Sequence, residues 1–274
     1  RSRGLGDVYK RQSYADENFE LLKLFAPHAK RVQGVKGIFE AHKAAAEIAE
    51  TTNFYVIDAD AVMDEQFTFK FRPSSNKEQW PGVMESTCVY VWRSQNPVND
   101  LLYGYGGAKL FPRKALLQAK DWHIDMTTSI GCPFAPKFQV SNITAFNTDP
   151  FNAWRSAFRE CTKLASAIIE HGDNTDNEYR LKVWQTKGAK RLNGEYAILG
   201  AKQGADFGKQ YKNNSKTLNL INGRTSISDS TPDLIISIDF CSPEKLAVTC
   251  LTFLSFFLRY SLTLLSISIK NFQY

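Results

Sequence analysis

The stretch NFYVIDAD, Asn53–Asp60, places a continuous apolar run directly before two carboxylates. A run without polar alternation is the pattern of a strand covered on both faces, as inside a parallel sheet. At the carboxyl end of such a strand, where ligands gather in open α/β sheets, stand Asp58 and Asp60. Two carboxylates two residues apart repel each other unless a cation or hydrogen-bond donors offset the charge. Mg²⁺ or Mn²⁺ bridged to a diphosphate would supply that offset, since hard cations take carboxylate and phosphate oxygens. A plain polar strand exit gives the same three letters.

Outward from this stretch, helices and strands alternate. Ala15–Ala26 has helical spacing of Phe19, Leu22 and Phe25, acidic residues in its first turn, and Pro27 as its stop. Lys30–Val35 reads as a short strand, and alanine-rich Ile38–Glu50 as a helix. Phe67–Phe71 (FTFKF) alternates as a strand, and Cys88–Trp92 (CVYVW) is a second apolar strand, with a polar loop over Arg72–Pro81 between them. Leu101–Phe111 is glycine-rich, and Pro112-Arg113-Lys114 leads into a short helix. Asn152–Glu170, Tyr179–Thr186 and Gly194–Gln203 read as helices. Strands and helices first, with helices concentrated late, predict one α/β domain with a helical extension.

The chain of 274 residues is long enough to bury a full core, and 43% apolar with 23% charged residues is ordinary globular composition. Its net charge of +6 is unevenly spread: four basic residues against one acidic fall within the first 12, and four against four from Arg224 onward. The mild excess between suits phosphates or a polyanion without pointing to nucleic acid. Cys88, Cys132, Cys161, Cys241 and Cys250 form no C-x-x-C pair and are odd in number, which favours a reducing, cytoplasmic setting over a disulfide framework. The opening RSRGLGDVYKRQ is expected to be a non-native or disordered leader over residues 1–12. Residues 13–223 are expected to form the domain, and 224–274 a non-matching, artefactual or poorly ordered tail. Arg259 interrupts the apolar part of that tail, so it makes no convincing membrane span.

Around the carboxylates several segments carry candidate chemistry. Tyr105, Gly106 and Gly107 lie in YGYGG, where small residues permit close backbone approach and Tyr103 and Tyr105 offer rings for a sugar or base; a tight turn is the structural alternative. Lys109 and Arg113 either meet phosphates or form a solvated face. Arg93 opens the polar segment RSQNPVN, which either lines a pocket or makes a turn. Asp125 and Asp149 are candidate general bases for an acceptor hydroxyl, each with helix capping as the competing role. His28, His42, His123 and His171 are never at ligand spacing, and G-x-S-x-G, H-E-x-x-H and a P-loop are missing, so the usual support for hydrolase, zincin and P-loop kinase readings is gone.

As a set, FYVIDADAV, VYVWRSQNPVNDLLYGYGGAKLFPRKALL, DMTTSI, VSNITAFNTDPFNAWRSAFRECTKLAS and GEYAILGAKQGADFG resemble the phage-associated glycosyltransferase-like proteins of the GT-A superfamily. These are proposed to modify hydroxymethylated pyrimidines in DNA. The resemblance implies an α/β GT-A-like fold for nucleotide-diphosphosugar transfer: a central, mostly parallel sheet flanked by helices, whose opening strand residues 1–12 do not supply. It also implies a metal-dependent glycosyltransferase in the cytoplasm of a phage-infected cell, with Mn²⁺ or Mg²⁺ at Asp58 and Asp60. A nucleoside-diphosphate sugar would lie against the sheet edge near Lys36, Arg93, Tyr105, Gly106, Gly107 and Lys109, with modified DNA as a candidate acceptor. The alternatives are a nucleotidyltransferase and an inactive nucleic-acid-binding relative.

Overall fold

The apolar run at residues 53–57 does form a strand, β1 (Asn53–Val56), but at the edge of its sheet, bonded to one neighbour only. The computed structural model describes residues 5–35, 38–120, 129–168 and 175–222, with the backbone alone for 5–14. Lys36, His123, Asp125 and the segment 223–274 lie outside the described residues.

The other strands are β2 (Ala61–Met63), β3 (Glu78–Trp80), β4 (Val83–Met84), β5 (Val89–Gln95), β6 (Leu102–Tyr103), β7 (Lys109–Pro112) and β8 (Phe134–Thr144). The helices are α1 (Leu5–Phe25), α2 (Ile38–Ile48), α3 (Arg113–Gln118), α4 (Pro150–Ala165), α5 (Thr175–Thr186), α6 (Gly194–Gln210) and the single turn α7 (Ser215–Leu218). Six strands make the main sheet in the order β1-β7-β5-β8-β2, with β6 also on β5; β3 and β4 form a separate hairpin.

Four of the main sheet's five strand pairs are antiparallel, β5 with β8 being parallel, and the sheet curls into a half-barrel. This corrects the expected open, mostly parallel GT-A-like sheet. The physical reason lies in what covers β1. One face carries Phe54 and Val56, packed with Ala46 of α2, Val89, Phe111 and Leu116 of α3. The other carries Tyr55 and Ile57, packed with Phe67, Tyr90 and Trp92. Two-sided burial makes a strand apolar throughout, and here helices on one side and an aromatic segment on the other provide it without parallel neighbours.

Phe67–Phe71 and Lys30–Val35 are not strands. Phe67, Phe69 and Phe71 still turn their rings to one cluster, so the alternation reports sidedness correctly while no ladder forms. Strand β8, eleven residues long and the parallel partner of β5, has no counterpart in the sequence reading.

The helix over 150–165 packs as its periodicity predicts, whereas α2 buries His42 and Ala46 and leaves Ile48 exposed. α4 buries Ala153, Trp154, Ala157, Phe158, Cys161 and Leu164. Against it α6 lays Gly200, Gly204 and Gly208, where an added Cβ would fall 2.1 Å from the Trp154 carbonyl oxygen, 2.2 Å from that of Phe158 and 2.5 Å from that of Thr162. Backbone therefore meets backbone along two turns. Trp184 of α5, 1% exposed, closes this layer beside Tyr103 and Phe146. Among the described residues no helix is long and apolar enough to cross a membrane.

Candidate active site

A cavity of about 730 Å³ opens between the sheet and helices α4 and α5, within the size range of small-molecule sites. Asp58 and Asp60 reach it from the end of β1, Lys109 from the start of β7. Arg93, Tyr105 and Gly106 also line it. With Tyr103, seven of the residues singled out in the sequence thus meet in one place, and Gly107 does not line the cavity.

Register explains the first contact. Lys109 pairs with Val56 across the antiparallel β1–β7 ladder, which puts its side chain beside the residues that follow β1. Its Nζ donates to Asp58 Oδ2 at 2.9 Å, with the two side chains 13% and 34% exposed. Burial would raise the Asp58 carboxyl, but the charge and hydrogen bond of Lys109, helped by His42 and Arg159, outweigh it and hold it below its ordinary value.

Asp60 has the opposite fate. Asp60 is exposed at the residue level and lines the open cavity. Burial first, and then the negative charge of Asp58, push it up to about 6, against the pull of Lys109 and Arg159. Two neighbouring carboxylates are thereby driven apart, one fixed as an anion and one poised to gain or lose a proton near neutrality.

The glycine loop is clamped from below. Asn142 Nδ2 donates to the Gly106 carbonyl at 3.0 Å, and Ala108 N donates to Ser141 Oγ at 3.0 Å. Ser94 Oγ and Thr144 Oγ1 share a hydrogen bond of 2.6 Å. A Cβ on Gly107 would sit 1.9 Å from the Trp92 carbonyl oxygen, and Gly106 has φ +66 with Thr144 Oγ1 2.3 Å from its would-be Cβ. Close approach of loop to strand is the reason for these glycines. The paired rings of Tyr103 and Tyr105, 6.0 Å apart and inclined at 25°, pack against each other; both line the cavity, Tyr103 buried and Tyr105 half-buried. Tyr103 is a structural anchor: its hydroxyl donates to Glu160 Oε1 at 2.8 Å and accepts from Trp184 Nε1 at 2.9 Å. Burial, then the charge of Glu160, keep both tyrosine hydroxyls protonated far above neutrality.

Several candidates take structural roles. Asp149 is the N-cap of α4, its carboxylate accepting from Asn152 N at 2.8 Å, and it is not among the residues lining the cavity. Beyond Arg93, the polar segment is a turn: Asn96 Oδ1 accepts from Val98 N and Asn99 N. Arg113 Nε donates to the Ala46 carbonyl at 2.8 Å and ties the start of α3 to α2 rather than facing the cavity.

The cavity wall opposite the carboxylates was not anticipated. It brings Arg159, Glu160 and Lys163 from α4, and Asn177 and Arg180 from α5. Arg159 Nη2 donates to Asn222 Oδ1 at 3.0 Å, and its buried Nε has no hydrogen-bond partner among the described residues. The Arg180 guanidinium lies 4.8 Å from the Tyr103 ring centroid. One sign was present in the sequence: Glu160 occupies the apolar stripe of α4, three residues after Ala157 and four before Leu164, and it is only 6% exposed.

The donor set does not make a cage for a divalent cation. No group of three or more His, Cys, Asp or Glu side chains able to hold one occurs among the described residues, and Asp58 already gives an oxygen to Lys109. The expectation of a metal-binding, nucleotide-sugar GT-A protein is corrected on this point as on the sheet. Comparisons with protein-family models, curated proteins and solved structures find no match.

Proposed function

We propose that this cavity is the active site of a glycosyltransferase in which Asp60 is the general base. The observation that carries the reading is the split of the carboxylate pair: Asp58 is held ionised by Lys109, and Asp60 is lifted to about 6 inside the cavity. A base of that strength is ionised at neutral pH and still basic enough to share a hydroxyl proton in a transition state.

The acceptor hydroxyl attacks the anomeric carbon of a sugar that carries phosphate there. The new C–O bond forms as the bond to the phosphate oxygen breaks. The hydroxyl proton passes to Asp60, and the electron pair of the broken bond leaves with the phosphate. Arg159, Lys163 and Arg180 stand on the facing wall, where positive charge stabilises an anionic leaving group. Tyr105, protonated and half-buried at the cavity, offers a ring face to a sugar.

The test is transfer from sugar phosphates of increasing size to hydroxymethylated and plain DNA, the acceptor suggested by the resemblance, with small alcohols as controls. The expected result is transfer by the full chain that falls about 10²–10⁴-fold in Asp60→Asn. Full activity in that variant, or no transfer from any donor by the folded protein, overturns the reading.

A further inference from the structure

Ser94 of β5 and Ser141, Asn142 and Thr144 of β8 form a buried polar hub beneath the glycine loop, none of them more than 3% exposed. Burying polar groups costs free energy unless each finds a partner, and here they find one another. Ser141 Oγ donates to Asn142 Oδ1 at 2.6 Å. Asn142 Nδ2 donates to Ser94 Oγ at 3.2 Å, and Ser94 Oγ lies 2.6 Å from Thr144 Oγ1. A network satisfied in this way is rigid. Apolar side chains of the same shape would serve the core about as well, so stability alone does not account for the hub.

Bonds that leave the hub run to backbone carrying cavity residues. Asn142 Nδ2 reaches the Gly106 carbonyl at 3.0 Å, and Thr144 Oγ1 donates to the Tyr105 carbonyl at 3.5 Å. Ser141 Oγ accepts at 3.0 Å from the backbone N–H of Ala108, the residue before Lys109. On the other side, Ala145 N donates to the Asp60 carbonyl at 2.7 Å, and Ala61 pairs with Thr144 in the β2–β8 ladder. The loop that bears Tyr105 and Lys109 and the segment that bears Asp60 thus rest on one short stretch of β8.

We propose that Asn142, acting with Thr144, is a positioning residue that fixes the loop over 105–109 relative to Asp60. Asn142 does not line the cavity, so it works through these neighbours and not by touching substrate. The proposal rests on the reading of Asp60 as the base and adds what holds base and loop in place. A displacement of about 1 Å caused by a change away from the chemistry costs about 100-fold in rate.

The experiment follows transfer and, without substrate, the carboxyl-carbon NMR titration of Asp60 in the full chain. Wild type is compared with Asn142→Ala, Thr144→Val and Thr144→Ser. The charged groups acting on Asp60 are Asp58, Lys109 and Arg159, and none of these is substituted, so a shift reports a change of position. Together with burial they leave Asp60 raised to about 6, and a carboxyl released from its place falls back towards its ordinary value. The expected result in Asn142→Ala and Thr144→Val is a lowered Asp60 pKa and a kcat per folded molecule reduced about 100-fold, with KM changed less. Thr144→Ser, which keeps the hydroxyl, should behave as wild type. Should Asn142→Ala fail to fold, the two Thr144 variants decide the matter. An Asp60 titration unmoved in the folded variants overturns the positioning role, whatever their loss of Tm. If wild type transfers no sugar while the titration shifts as stated, the transferase reading falls and the positioning role stands.

Discussion

Lys109 Nζ lies 2.9 Å from Asp58 Oδ2 because the β1–β7 ladder pairs Lys109 with Val56, two residues before that carboxylate. An ammonium supplied by the neighbouring strand therefore offsets charge where the sequence suggested a bound cation. After burial, the anion that Lys109 holds at Asp58 is the next cause that raises Asp60.

The acid side of the pH profile reports Asp60. A base must be ionised, so turnover falls as pH drops through about 6. Asp58→Asn removes the neighbouring negative charge and frees Lys109 to attract Asp60. The Asp60 pKa then falls, and the acid limb of a pH–rate profile moves below pH 6 instead of upward. A carboxyl-carbon NMR titration of both proteins checks the sign without substrate; an unmoved or raised Asp60 would contradict it.

Chelation is expected to leave transfer unchanged, because Lys109 rather than a metal neutralises Asp58. Lys109→Met should lower stability by about 1–3 kcal/mol, between the values for exposed and buried pairs. Turnover in EDTA and urea unfolding of the variant measure the two effects. Activity abolished by EDTA and restored by Mn²⁺ would refute the first.

Gly204→Ala should destabilise the fold despite alanine's better helix propensity. The propensity gain is about 1 kcal/mol, whereas the new methyl would meet the Phe158 carbonyl oxygen at 2.2 Å and force α4 and α6 apart. Overpacking costs about 1–3 kcal/mol and more where backbone is the obstacle. A lowered Tm by calorimetry is expected; a raised one would mean that the helices separate freely.

Asp149→Ala separates cap from base. Loss of the hydrogen bond to Asn152 N costs about 1 kcal/mol of stability. Transfer rate per folded molecule should be unchanged, and Asp149→Asn, which still caps, should restore the stability. A hundredfold loss of rate in a stable variant would instead make Asp149 catalytic.

Local physics was legible in the sequence. The apolar run before Asp58 and Asp60, the alanine-rich helix α2, the amphipathic spacing of α4, the short helix after Pro112 and the tight glycine segment all follow from propensity, periodicity, proline stops and side-chain size. These depend on residues a few positions apart. Six site candidates, Asp58, Asp60, Arg93, Tyr105, Gly106 and Lys109, do line one cavity. Apolar cover on both faces of β1 was legible as well, because it shows directly in composition, although its residues are only part-buried and the sheet is not parallel.

Pairing direction was not legible, since a strand apolar on both faces looks the same whether its neighbours run with it or against it. Only the tertiary structure made β1 an edge strand, brought β8 beside β5, and set Arg159, Lys163 and Arg180 across from Asp60. It alone turned Phe138 out of its ladder, because a register shift is a property of two strands together. The sequence by itself determined the longer helices from α2 onward, the apolar stripe of α4 and where two carboxylates follow a strand. Tertiary contacts decided what each carboxylate meets, and so which of the two can exchange a proton.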